Sequence, residues 1–132
     1  MKSEDERTRK LRGREMPGEE LKGRTKQFAL RVIRLANALP KSPEGRVIQR
    51  QLLRSGTSVG ANYRAAKRVR SMADSISKMG IVEEETDESM YWMELIEESG
   101  LMDENRISDL YKEADEILSM VVASIRTAKK RK

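Results

Sequence analysis

Apolar residues recur along this chain at alternating spacings of three and four. Phe28, Val32, Leu35 and Leu39 form the first stripe, which predicts a helix over about 20–39 with one buried face. Ile48, Leu52, Ser55, Val59, Asn62, Ala66 and Val69 keep the same rhythm, but small and polar residues take several of the core positions. A third stripe comprises Met79, Val82, Thr86, Ser89, Met93 and Ile96, with Trp92 and Leu95 beside it. The fourth is Ile107, Leu110, Ala114, Ile117 and Val121, flanked by Tyr111, Leu118, Val122 and Ile125. No segment alternates with a period of two, so no strand is predicted.

The breaks between stripes carry their own signals. Leu39-Pro40 ends the first helix, because a residue before proline is pushed out of the helical region. Ser42-Pro43 reads as an N-cap followed by proline at the first helical position. Ser71 with Asp74 resembles a capping box and opens the third helix. Gly100 stands where a helix end favours a left-handed residue, and the fourth helix is expected from about Asp103 to Ala128. Long helices of matched length with short connections predict an all-α, antiparallel up-down-up-down four-helix bundle over 20–128. Residues 1–19 read as a flexible charged tail, and 129–132 as a basic C-terminal tail. Apolar residues on more than one face of a helix predict a homo-oligomer.

Composition narrows the chemistry. The 132 residues include no cysteine and no histidine. Disulfides, thiolate nucleophiles, histidine-based triads and zinc sites of the usual kind are therefore excluded. Glu83, Glu84, Glu85, Asp87 and Glu88 lack the histidines of a di-iron bundle. They read as electrostatic partners of a basic helix, with a carboxylate magnesium site as the minor alternative. An aromatic pair such as Tyr91 and Trp92 can stack a base, but helical periodicity places at least one of them in the core. No catalytic constellation is recognisable, so no enzyme activity, cofactor or metal is expected. No apolar run is long enough to span a bilayer and no leader pattern opens the chain, so a cytoplasmic protein is expected.

Charge is segregated along the chain. Between Gly45 and Ala73 there are seven bases and no acid: Arg46, Arg50, Arg54, Arg64, Lys67, Arg68 and Arg70. From Glu83 to Glu98 there are eight acids and no base, and the last bases are Arg126, Lys129, Lys130, Arg131 and Lys132. Arg46, Arg50 and Arg54 share one helical face. Two readings stay open. The seven bases and Lys129–Lys132 form a track for nucleic-acid phosphate, or they face the acidic third helix within the bundle.

Within the same helix, Ser55, Gly56, Val59, Gly60 and Asn62 read as a packing seam. Each glycine costs a helix about 1 kcal/mol relative to alanine. A close neighbour is the expected compensation, with Ser55 and Asn62 hydrogen-bonding across the seam and setting register or subunit number.

Several segments together resemble a known family. They are Phe28-Ala29-Leu30-Arg31-Val32, Leu39-Pro40, the run from Gln51 to Tyr63, Ile81-Val82-Glu83-Glu84-Glu85, and Tyr91-Trp92-Met93-Glu94-Leu95. Over roughly 21–128 the chain resembles the bacterial four helix bundle proteins. These include proteins encoded in intervening sequences of large-subunit ribosomal RNA genes and the accessory variability determinant of diversity-generating retroelements. The resemblance implies a homopentameric barrel. In the retroelement branch it further implies RNA or DNA binding and partnership with a reverse transcriptase. Some relatives follow the central motif with an acidic residue and glycine. Here Tyr63-Arg64-Ala65-Ala66 stands there instead, adding positive charge.

Overall fold

The structure, a computed structural model, describes residues 17–131, with side chains from 19 onward. It is all-α. Among the described residues there are four α-helices and no strand: α1 Pro17–Asn37, α2 Pro43–Arg68, α3 Met72–Glu98 and α4 Ser108–Lys130. A 3-10 turn, Glu104–Arg106, lies between α3 and α4. The first 16 residues of the expected tail, and Lys132, lie outside the described residues. Helix α1 starts three residues before the expected position because Pro17 opens it, and a first-turn amide needs no helical partner. Helix α4 extends through Lys130, so the basic end is largely helical.

The caps follow local chemistry. Ser42 Oγ accepts from the Gly45 amide at 3.1 Å, ahead of Pro43. Ser71 Oγ accepts from the Asp74 amide at 3.0 Å. Helix α3 ends in a Schellman arrangement. Gly100 has φ 75°, its amide donates to Glu97 O, and the Leu101 amide donates to Ile96 O. Asp103 begins a 3-10 turn rather than α4 itself. Its carboxylate accepts from the Asn105 amide, and the Arg106 amide closes onto its carbonyl.

Contacts along the helices fix their pairing. On α1 and α2, Ala36 O accepts from Gln49 Nε2, Val32 meets Gly56, and Thr25 meets Gly60. These two helices therefore run in opposite directions. On α2 and α3, Ala66 O accepts from Ser75 Oγ, and Ser55 meets Ser89, again in opposite directions. Tyr111 Oη donates to Glu94 Oε2 at 2.8 Å between α4 and α3.

The first, third and fourth stripes are buried throughout. The second departs from expectation near its end. Asn62 and Val69 are half-buried, while Tyr63 is buried. A straight helix drifts about 20° per heptad against a strict seven-residue repeat. By the third turn after Leu52 the core position has moved to Tyr63. Asn62 Nδ2 accordingly donates to Ser58 O of its own helix at 3.0 Å, and makes no bond across to α1 or α3.

Ser55 and Ser89 do meet across α2 and α3, with their hydroxyl oxygens 3.0 Å apart in the core. A chain from Ser89 to Ser55 to Leu52 O uses both protons. Such satisfaction matters, because a buried polar group without a partner costs about 1–3 kcal/mol. Among the described residues no buried side-chain N or O lacks one.

Gly56 marks a close approach of α2 to α1. A Cβ there would stand 2.6 and 2.8 Å from the two Val32 methyl carbons. Gly60 is looser, since its Cβ would lie 3.3 Å from Thr25 O. Gly56→Ala should therefore lower stability by about 1–3 kcal/mol, overpacking outweighing the propensity gain. Gly60→Ala should change it by less than about 1 kcal/mol. Denaturant melts of the two variants check this, and equal midpoints would refute the close contact.

Two phenols link stability to alkaline pH. Tyr111 is pushed up to about 12, first by its hydrogen bond to Glu94 and then by burial. Tyr63 is pushed up to about 12 by burial and then by Glu19. The fold favours the neutral phenols, so their contribution is complete below the unfolded value near 10 and is lost as pH rises through about 12. Tyr111→Phe should lose less stability than the parent between about pH 10 and 12, measured by denaturant midpoints.

Candidate functional site

Helix α2 displays its bases outward. Arg46, Arg50, Arg54, Arg64, Lys67 and Arg68 are all exposed, as is Arg70 just beyond the helix. Their surroundings differ. Arg54 is held by α3: its guanidinium lies 3.1 Å from Glu85 Oε2 and also bonds Glu88. Glu88 in turn accepts from Trp92 Nε1 at 2.9 Å. Lys67 Nζ lies 5.4 Å from the Tyr63 ring centroid, a cation–π distance. Arg46, Arg50, Arg64, Arg68 and Arg70 form no ion pair among the described residues. The same holds for Lys129, Lys130 and Arg131 at the exposed end of α4.

The acidic helix therefore engages one of the seven bases in an ion pair, Arg54. Helical geometry explains the selection. Arg54 leans to the α3 side of α2, whereas Arg46, Arg50 and Arg64 project from the outer surface and its α1 side. Tyr91 is exposed and stacks edge-on against Trp92, with centroids 5.1 Å apart. Trp92 packs on the core.

Tertiary structure adds two residues to the basic set. Lys22 and Lys26 sit one turn apart on α1 and line a groove of about 440 Å³ with Arg64 of α2. The floor and walls are small: Gly23, Ala29, Thr57, Gly60 and Ala61. Glu19 is the acid at the rim. The groove exists because α1 and α2 approach closely at Gly56 and Gly60, with short side chains above the contact. In sequence, Lys22 and Lys26 belong to a segment of mixed charge and give no signal beyond their i, i+4 spacing. The seam residues separate by role: Ser55, Gly56 and Val59 are buried, Gly60 lies at the groove, and Asn62 is half-buried on the α3 side of α2.

Arginine and lysine arranged this way can receive anionic oxygens, arginine through two parallel N–H donors. Among the described residues no three His, Cys, Asp or Glu side chains come together as a metal site requires. No helix among them is long and apolar enough to cross a membrane.

The structure is similar to that of a protein of unknown function from the S23 ribosomal protein family of Bacteroides thetaiotaomicron VPI-5482. The two are 32% identical, with a TM-score of 0.79, over 84% of this chain and 99% of that one. No curated protein matches the chain at a significant level. The model of the family described as 23S rRNA-intervening sequence protein matches residues 20–123, from the first turn of α1 into α4, and the chain belongs to that family.

Proposed function

We propose that this chain is a non-catalytic accessory protein that binds the backbone of RNA or DNA. The observation that carries the reading is the α1–α2 groove, where Lys22, Lys26 and Arg64 come together around small residues. Arg46 and Arg50 extend the positive surface along α2, and neither has an acidic partner among the described residues. Three cations against the single carboxylate of Glu19 leave the groove positive, and concentrated positive charge favours a polyanion. Contacts from cations to phosphate carry no sequence information, so this binding is sequence-tolerant.

The proposed assembly is an up-down-up-down bundle that forms a homopentameric barrel. Exposed Leu30, Ile33 and Val47 on α1 and α2 support burial against further copies. A ring multiplies the basic surface around an axis, and a reverse transcriptase is the protein partner suited to the retroelement branch. A scaffold without nucleic acid is the second reading, favoured by the Arg54 pairs with Glu85 and Glu88.

Light scattering at micromolar concentration should give a mass of five chains, and a monomer would defeat the assembly. Binding of an oligonucleotide should weaken steeply with salt, by a log–log slope of about −0.7 per phosphate contact for single strands. Arg50→Gln with Arg64→Gln should flatten that slope and leave the melt unchanged. Arg54→Gln should do the reverse, leaving the slope and costing up to about 1 kcal/mol, because the Arg54 end of its pairs is about half exposed to solvent. No binding at low salt, together with a lower melt for Arg50→Gln and Arg64→Gln, would leave only the scaffold.

A further inference from the structure

A second group of cations gathers on the opposite flank of α1. Arg24 and Arg31 are seven residues apart and so point the same way. Arg24 meets α4, with its guanidinium 2.6 Å from both Glu113 and Glu116, and its pKa is raised first by the Glu113 hydrogen bond. Two turns later the opposing glutamates are gone. Arg31 and Arg34 instead share a pocket of about 330 Å³ with Arg106 of the 3-10 turn, over Leu35 and Leu110. None of these three guanidinium groups has an ion pair or hydrogen bond among the described residues.

Three guanidinium groups around one pocket repel one another, and Asp109 is the acid that lines it. Three positive charges against one negative leave two unanswered. The pocket also touches the first turn of α4, whose N-terminus has no side-chain cap bond. Amides in a first helical turn lack intrahelical partners and carry partial positive charge. A terminal phosphate carries about 1.5–2 negative charges near neutral pH and offers three acceptor oxygens. A backbone phosphodiester carries one charge and leaves part of the excess standing.

We infer that the pocket formed by Arg31, Arg34, Arg106 and the start of α4 binds a phosphomonoester. The ligand is a terminal phosphate, whether on a nucleic-acid end or on a small phosphorylated molecule. The site is separate from the α1–α2 groove and stands or falls independently of it.

The test compares adenosine monophosphate with adenosine, and a 5′-phosphorylated oligonucleotide with its 5′-hydroxyl twin, by calorimetry at fixed ionic strength. The terminal phosphate should tighten binding about ten-fold or more in at least one pair, as charge-assisted hydrogen bonds would. Arg34→Gln and Arg106→Gln should each erase most of that difference without shifting the melt, since neither side chain has a partner to lose. Lys26→Gln, in the groove, should leave the difference intact. Discrimination confined to the mononucleotide identifies a small ligand, and discrimination confined to the oligonucleotide identifies a strand end. If both pairs bind alike, or if the phosphate preference survives in the Arg34→Gln, Arg106→Gln double variant, the pocket is not a phosphomonoester site.

Discussion

Helix α2 has to lie against α1 and α3 at once, and at Ser55 and Gly56 it does so with two of the smallest side chains available. Gly56 receives the methyl groups of Val32, and Ser55 receives the hydroxyl of Ser89. Consecutive residues on a helix point about 100° apart, so adjacent positions can serve different neighbours. The glycine costs helix propensity, and the close contact with Val32 offsets that cost through dispersion. The serine pair is tolerated in the core because both hydroxyls are satisfied.

The close approach has consequences at the surface. Once α1 and α2 meet at Gly56 and Gly60, short side chains above the contact leave a trough rather than a ridge. Bases from both helices then stand on its walls. The same bundle turns Arg54 toward Glu85 and Glu88, where its charge is answered. The basic helix thus has two electrostatic roles. One arginine fastens α2 to α3, while the others leave positive charge at the surface.

Helix α1 divides charge in a similar manner. On one flank Lys22 and Lys26 face the trough, and on the other Arg24 is neutralised by α4. Arg31 and Arg34 lie on that second flank, where α4 has begun and Glu113 is out of reach. The 3-10 turn matters here, because it brings Arg106 to the same place before α4 starts. A continuous helix from Asp103 would carry that side chain elsewhere around its axis.

Four helices, the caps of α2 and α3 and most of the buried faces were legible in the sequence, because helical periodicity and capping are local. Phe28, Val82 and Ile117 declare their burial by spacing alone, and Ser42, Ser71 and Gly100 declare the ends. The drift that buried Tyr63 in place of Asn62 was less visible, since a seven-residue repeat only approximates a straight helix. Family membership was legible too, through the run from Gln51 to Tyr63. The partners of charges were not. Sequence separates Arg24 from Glu113 by nearly the whole bundle, and no local pattern distinguishes paired Arg54 from unpaired Arg50. Lys22, Lys26 and Arg64 became neighbours, as did Arg31, Arg34 and Arg106, only when helices distant in sequence packed side by side. Ionic contacts depend on side-chain direction and on the helix opposite, and both are decided by tertiary structure.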